Sequence, residues 1–161
     1  MSQGSAVVPG VTLINRQRRY YFSRAALCEF AGRLKRRLRL GGKEFNICLV
    51  DDRAIRQLNA SFLGKDKPTD VLSFPRAAAA QGKALPLRGG NFLGEVVISV
   101  ETARRNARAE GHSTLNEIRW LILHGGLHLL GYDHAHDQGE MTALELSLRE
   151  ELSIAGGRRG D

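Results

Sequence analysis

With 161 residues the chain is long enough to bury a core as one domain, read here as spanning residues 1–161. Its 24 Lys and Arg against 17 Asp and Glu give a net charge of +7 and a pI near 10.0, a balance that favours polyanionic partners, nucleic acid above all. Cys28 and Cys48 have no CxxC spacing and fit buried or free thiols in a reducing compartment, while "MSQGSAVVPG" lacks the basic and apolar regions of a leader and "WLILHGGLHLL" is too short and polar for a bilayer; a cytoplasmic setting without membrane is expected.

Residues 7–14 read as a first strand. Ser23 opens a helix with Leu27, Phe30, Ala31, Leu34 and Leu38 in one apolar stripe, ended by Gly41 and Gly42. "EFNICLV" alternates as a strand, and Asp51 or Asp52 caps a short helix with Ile55, Leu58 and Phe62 on one side, stopped by Gly64. "KDKPTD" is a loop and "VLSF" a strand. Residues 75–92 form a low-complexity insertion, expected to be flexible, before the strand "LGEVVISV". An Arg-rich helix follows near 101–110, then Thr114 and Glu117 as a capping box opening a helix anchored by Leu115, Ile118, Leu121, Ile122 and Leu129. A last helix spaces Met141, Leu144, Leu148 and Leu152 for burial, and residues 156–161 read as a disordered tail. Strands mixed with helices in this order predict an α+β class: one small mixed sheet of about four strands covered by helices.

Four of the five histidines fall between residues 124 and 136. His124 and His128 are four apart and share one face of a helix; Gly131 can take a positive φ and end it, so that His134 swings back toward the first two. Three converging imidazoles are a metal site on a helix of the C-terminal half, and imidazole favours Zn²⁺, one per chain, while also suiting Ni²⁺, Fe²⁺ and Cu²⁺. A closed structural site would need a fourth ligand from Asp133, His136 or Asp137; three ligands and an open position holding a water is the favoured, catalytic form. The spacing is also that of H-E-x-x-H-x-x-G-x-x-H peptidases, but Gly125 stands where their general base stands, so the peptidase chemistry loses its carboxylate and the glycine is read as room for a bulky substrate backbone.

"HGGLHLLGYDH" resembles the H-G-x-L-H-L-x-G-Y-D-H signature of the YbeY family of bacterial endoribonucleases, the rRNA maturation factors. "LNASFLGKDKPTDVLSFP" at 58–75 resembles that family's second block, and "LGEVVIS" at 93–99 its third, with Glu95 where Asp is usual. The resemblance implies a zinc-dependent, single-strand-specific endoribonuclease acting in 3′-end maturation of small-subunit ribosomal RNA and in ribosome quality control, with His124, His128 and His134 as zinc ligands. Single-stranded RNA, ribosomal RNA precursor and the small ribosomal subunit are the implied partners. Many members carry Arg, thought to contact RNA, where this chain has Leu63; Lys65, Lys67, Arg53 and Arg56 are the neighbouring RNA-binding candidates. Beyond the water on the metal, Asp133, Asp70 and Glu95 are the carboxylates available to carry a proton or orient an imidazole, and each also has a plain structural reading, a turn for Asp70 and a strand edge for Glu95. Two other functions share these residues: a metal-dependent hydrolase of another substrate, peptidase-like, and a non-catalytic ribosome-associated RNA-binding factor with structural zinc.

Overall fold

Along β3 (Glu44–Val50) every residue from Phe45 to Val50 is buried, which marks a strand covered on both faces. Phe45, Ile47 and Leu49 join one apolar cluster and Cys48 and Val50 another, so the sheet separates two cores. The computed structural model describes residues 7–76, 91–133, 137–152 and 154. Within them the strands are β1 (Val7–Val8), β2 (Val11–Asn15), β3, β4 (Val71–Pro75) and β5 (Phe92–Ser99), ordered β1-β2-β3-β5-β4. β2, β3 and β5 run parallel, with β1 and β4 antiparallel at the two edges, giving a mixed α+β domain of four strands of five to eight residues plus the two-residue β1.

The larger core lies between the sheet, α1 (Arg24–Arg37) and α4 (Thr114–Leu129), and holds Leu27, Leu34, Phe45, Val96, Ile118 and Ile122. The smaller one lies under α2 (Asp52–Leu63), where Ile55 meets Leu72 and Val97 and the Phe62 and Phe74 rings stand edge to face at 5.0 Å. α3 (Val100–Glu110) follows β5 directly, and α5 (Glu140–Glu151) packs on α4. Among the described residues no helix is long and apolar enough to cross a membrane. Cys28 and Cys48 are both buried, and neither is in a disulfide.

Several boundaries depart from the sequence expectation for local reasons. The first strand is two: Pro9 and Gly10, the latter at φ +83°, turn the chain so that β1 pairs back on β2. α1 stops at Arg37, before Gly41 and Gly42, because Arg39 takes φ +54° and the buried Leu40 sends its N–H back to the Lys35 carbonyl at 3.1 Å. Asp51, not Asp52, caps α2, its Oδ1 accepting from the Ala54 N–H at 2.8 Å. Pro75 and Phe92 belong to β4 and β5, so the expected insertion shrinks to residues between them; 77–90, like the tail 156–161, lie outside the described residues. The expected Thr114–Glu117 capping box is displaced: Ser113 caps α4 by accepting from the Asn116 N–H at 3.1 Å, and Glu117, fully buried, pairs instead with His112 Nε2 at 2.7 Å.

Candidate metal centre

α4 places His124 and His128 one turn apart, with their rings 4.7 Å apart and their Nε2 atoms separated by 3.1 Å. The helix ends where Gly131 takes φ +97°, and two bonds close a Schellman motif: the Gly131 N–H donates to the His128 carbonyl at 3.0 Å and the Tyr132 N–H to the Leu127 carbonyl at 3.1 Å. This is the turn the glycine at that position predicts, and it carries the chain toward His134. His134 and His136 themselves lie outside the described residues.

A partner of His124 stands on α5, a helix whose sequence period marks it only for packing. Glu145, buried on α5, accepts from His124 Nδ1 at 2.5 Å. An ionised carboxylate only accepts, so in that state Nδ1 carries the proton and the Nε2 lone pair faces His128. Four residues on, Arg149 is also buried and sits 4.9 Å over the Trp120 ring, which flanks His124 at 6.0 Å. A signal existed: Glu145 stands in the apolar stripe of Met141 and Leu148, where an unpartnered carboxylate would be costly.

Among the described residues no three metal-binding side chains converge, but the two imidazoles are spaced as neighbouring donors to a tetrahedral cation. Two imidazole nitrogens at Zn–N lengths of about 2.0–2.1 Å and tetrahedral angles stand roughly 3.3 Å apart, and His124 and His128 stand at 3.1 Å with one ring oriented from behind by a carboxylate. The pair opens onto a cleft of about 410 Å³ lined also by Leu63, Val71, Pro75, Tyr132 and Asp133. Asp137 is used elsewhere: its Oδ1 and Oδ2 accept from the Gly139 and Met141 N–H groups at 2.9 Å and start α5.

Gly125 is not a gap for substrate. It is buried, and a Cβ there would meet Val96 Cγ1 at 2.6 Å and Ser73 Oγ at 3.1 Å, while Ser73 Oγ donates to the Gly125 carbonyl at 3.0 Å. The position that holds the general base in the peptidase pattern is therefore the seam between α4 and the sheet.

Only some predicted site residues meet here. Asp133 and Leu63 line the cleft, and Leu63 is 53% exposed, so an apolar side chain occupies the position where the family pattern often has Arg. Glu95 is not among them. Val96 faces α4, so alternation turns Glu95 to the α2 side of the sheet, on the interior strand β5 and not at an edge, in a cleft with Arg16, Cys48 and Leu58. There burial raises the Glu95 pKa against the opposing pull of Arg16, and burial together with the Glu95 charge pushes the Cys48 thiol up to about 11, leaving it unreactive at neutral pH. Asp70 is also elsewhere: its Oδ2 accepts from Asn106 Nδ2 at 3.3 Å and its carbonyl from the Ser99 N–H at 2.9 Å. Arg56 is forked to Asp66 at 2.9 and 3.2 Å, and it and Arg53 line a separate cleft; Lys65 and Lys67 are exposed on the loop after α2.

Comparison with known proteins adds a family to this geometry. Residues 15–153 match the family model described as Endoribonuclease YbeY. The chain is 48% identical over 115 residues to the Endoribonuclease YbeY of Nautilia profundicola, covering 71% of this chain and 76% of that one. It is 46% identical over 116 residues to that of Rhodopseudomonas palustris, covering 71% and 60%. A solution structure of a Thermotoga maritima protein superposes with a TM-score of 0.58 at 25% identity, over 94% of this chain and 99% of that one.

Proposed function

The chain belongs to the YbeY endoribonuclease family, and we propose that it works as a zinc-dependent, single-strand-specific endoribonuclease in 3′-end maturation of small-subunit ribosomal RNA and in ribosome quality control. The observation that carries this reading is the pair of Nε2 atoms 3.1 Å apart on one helix face, with Glu145 fixing one ring from behind. His124 and His128 hold the ion through Nε2, and His134, three residues past Gly131, is the third ligand in this proposal. When bound, Zn²⁺ supplies Lewis-acid stabilisation of charge developing on a phosphoryl oxygen.

The chain's own residues do the remaining work. Glu145 keeps the His124 ring in register and its Nδ1 protonated. Leu63, Val71 and Pro75 give the cleft an apolar wall that strips water from one side of a strand, and Tyr132, 37% exposed at its mouth, offers a ring face to a base. Asp133 lines the same cleft, and we assign its carboxylate the proton that the attacking hydroxyl gives up as its oxygen bonds to phosphorus and the phosphorus bond to the leaving ribose oxygen breaks.

The test separates metal from chemistry. Elemental analysis of the full chain is expected to give about one zinc per chain, most of it lost in His128→Ala. Wild type should cut an unstructured RNA and spare its DNA counterpart; His124→Ala and chelated protein should not, and returned zinc should restore only wild type. Circular dichroism must show the variant folded, because metal binding contributes to folding. Zinc bound without cleavage of any ribosomal RNA precursor would replace this reading with a structural-zinc, RNA-binding factor.

A further inference from the structure

Leu63 brings no charge to the metal cleft, and a second cationic surface lies on another part of the molecule. The segment 16–24 carries two adjacent tyrosines and four arginines, of which Arg16 turns to the Glu95 cleft, Arg24 donates to the Leu13 carbonyl and Arg19 stays beside the tyrosines. It is not a loose loop. Buried Gln17 clamps the Tyr20 backbone at both of its groups, donating from Nε2 to the carbonyl at 2.7 Å and accepting at Oε1 from the N–H at 2.9 Å. Tyr20 and Phe22 pack against the main core, which leaves Tyr21 between them 83% exposed. Two guanidiniums stack on Tyr20, that of Arg104 from α3 at 4.7 Å and that of Arg19 at 5.5 Å. Glu101 lies against this cluster and accepts from Arg19 at 3.4 Å and from the Asp52 N–H at 3.0 Å.

Tyr20, Tyr21, Phe22 and Arg104 enclose, with Thr114 and Leu115 at the start of α4, a cleft of about 430 Å³. We infer that this cleft is a second binding site for single-stranded RNA, in which Tyr21 stacks a base and Arg104 and Arg19 take phosphates. Aromatic faces beside arginines bind single strands without regard to sequence, because every base has a π-face and every linkage a charge. Thr114 precedes His128 by fourteen residues, which separates the cleft from the imidazole by roughly 21 Å along α4. About six nucleotides of stacked strand at ~3.4 Å each bridge that distance. The inference rests on the RNA reading above but not on cleavage.

The experiment is a titration of the intact zinc-loaded protein with a labelled 20-nucleotide 2′-O-methyl oligouridylate at several salt concentrations. Tyr21→Ala is expected to weaken binding about tenfold, with the salt dependence unchanged, and Tyr21→Phe to bind as wild type. Arg104→Gln should lower the slope of log affinity against log salt by about one. Because Tyr21 is exposed, an unchanged melting curve checks that its loss is local. Tyr21→Ala binding as tightly as wild type, or a wild type that binds no RNA, overturns the inference and leaves the cleft to a protein partner. Tyr21-dependent binding by a protein that cuts nothing keeps the cleft and removes the nuclease reading.

Discussion

Each face of the sheet holds a carboxylate beside a cleft, and the two are put to different use. On the α4 face Glu145 is buried and accepts from His124 Nδ1 at 2.5 Å, so its charge is matched by an N–H it also orients. On the α2 face Glu95 lies between Arg16 and Cys48, and burial raises its pKa despite the arginine. The contrast teaches that a carboxylate in a cleft is not by itself a catalytic one. What distinguishes the α4 face is a donor whose other nitrogen points at a second imidazole, whereas Glu95 has a thiol held near 11 and a cation.

Glu145→Ala should have the largest effect on the α4 face. Loss of the group that orients a ligating imidazole should lower zinc affinity about 10- to 100-fold, measured by competition with a chromogenic chelator, while Glu145→Gln, which still offers an acceptor oxygen, should fall between. The matching Glu95→Gln should leave zinc affinity unchanged. If both variants lose zinc alike, the two faces do not differ in function.

Smaller is the cost of disturbing the seam that positions the imidazoles. Gly125→Ala drives a Cβ to 2.6 Å from Val96 and should destabilise the protein by roughly 1–3 kcal/mol in chemical denaturation. Its neighbour Gly126→Ala meets only Leu34, at 3.7 Å, and should gain up to about 1 kcal/mol from helix propensity. Equal effects would mean that α4 does not depend on close contact with β5.

The smallest effect sharpens the α2 side. A Glu whose folded pKa is raised contributes stability that is present at low pH and lost as pH rises through the folded value. Glu95→Gln should therefore stabilise the protein at pH 7, by under about 0.5 kcal/mol, and the gain should vanish at pH below the ordinary glutamate range, where wild type is protonated both folded and unfolded. Melting curves of both proteins across pH 3 to 7 check the sign.

Features that depend on neighbours in sequence were legible before any fold was known. Helical period alone put His124 and His128 on one face, and the freedom of Gly131 to adopt a positive φ marked the helix end; both follow from backbone geometry, which is local. The apolar stripes of α1, α2 and α5 and the strands of the core were read from period for the same reason. Local signals misled where a competing contact won, as when buried Leu40 closed α1 before its glycines and Ser113 took the cap from Thr114. Side-chain partnerships across elements were beyond reach. That Glu145 stands behind His124, twenty-one residues away, that Glu95 faces away from the metal cleft, and that Gly125 is a packing contact are decided by strand order and by which face each helix covers. Those choices minimise exposed apolar area and unpaired polar groups over the whole chain at once, and no window of sequence contains that sum.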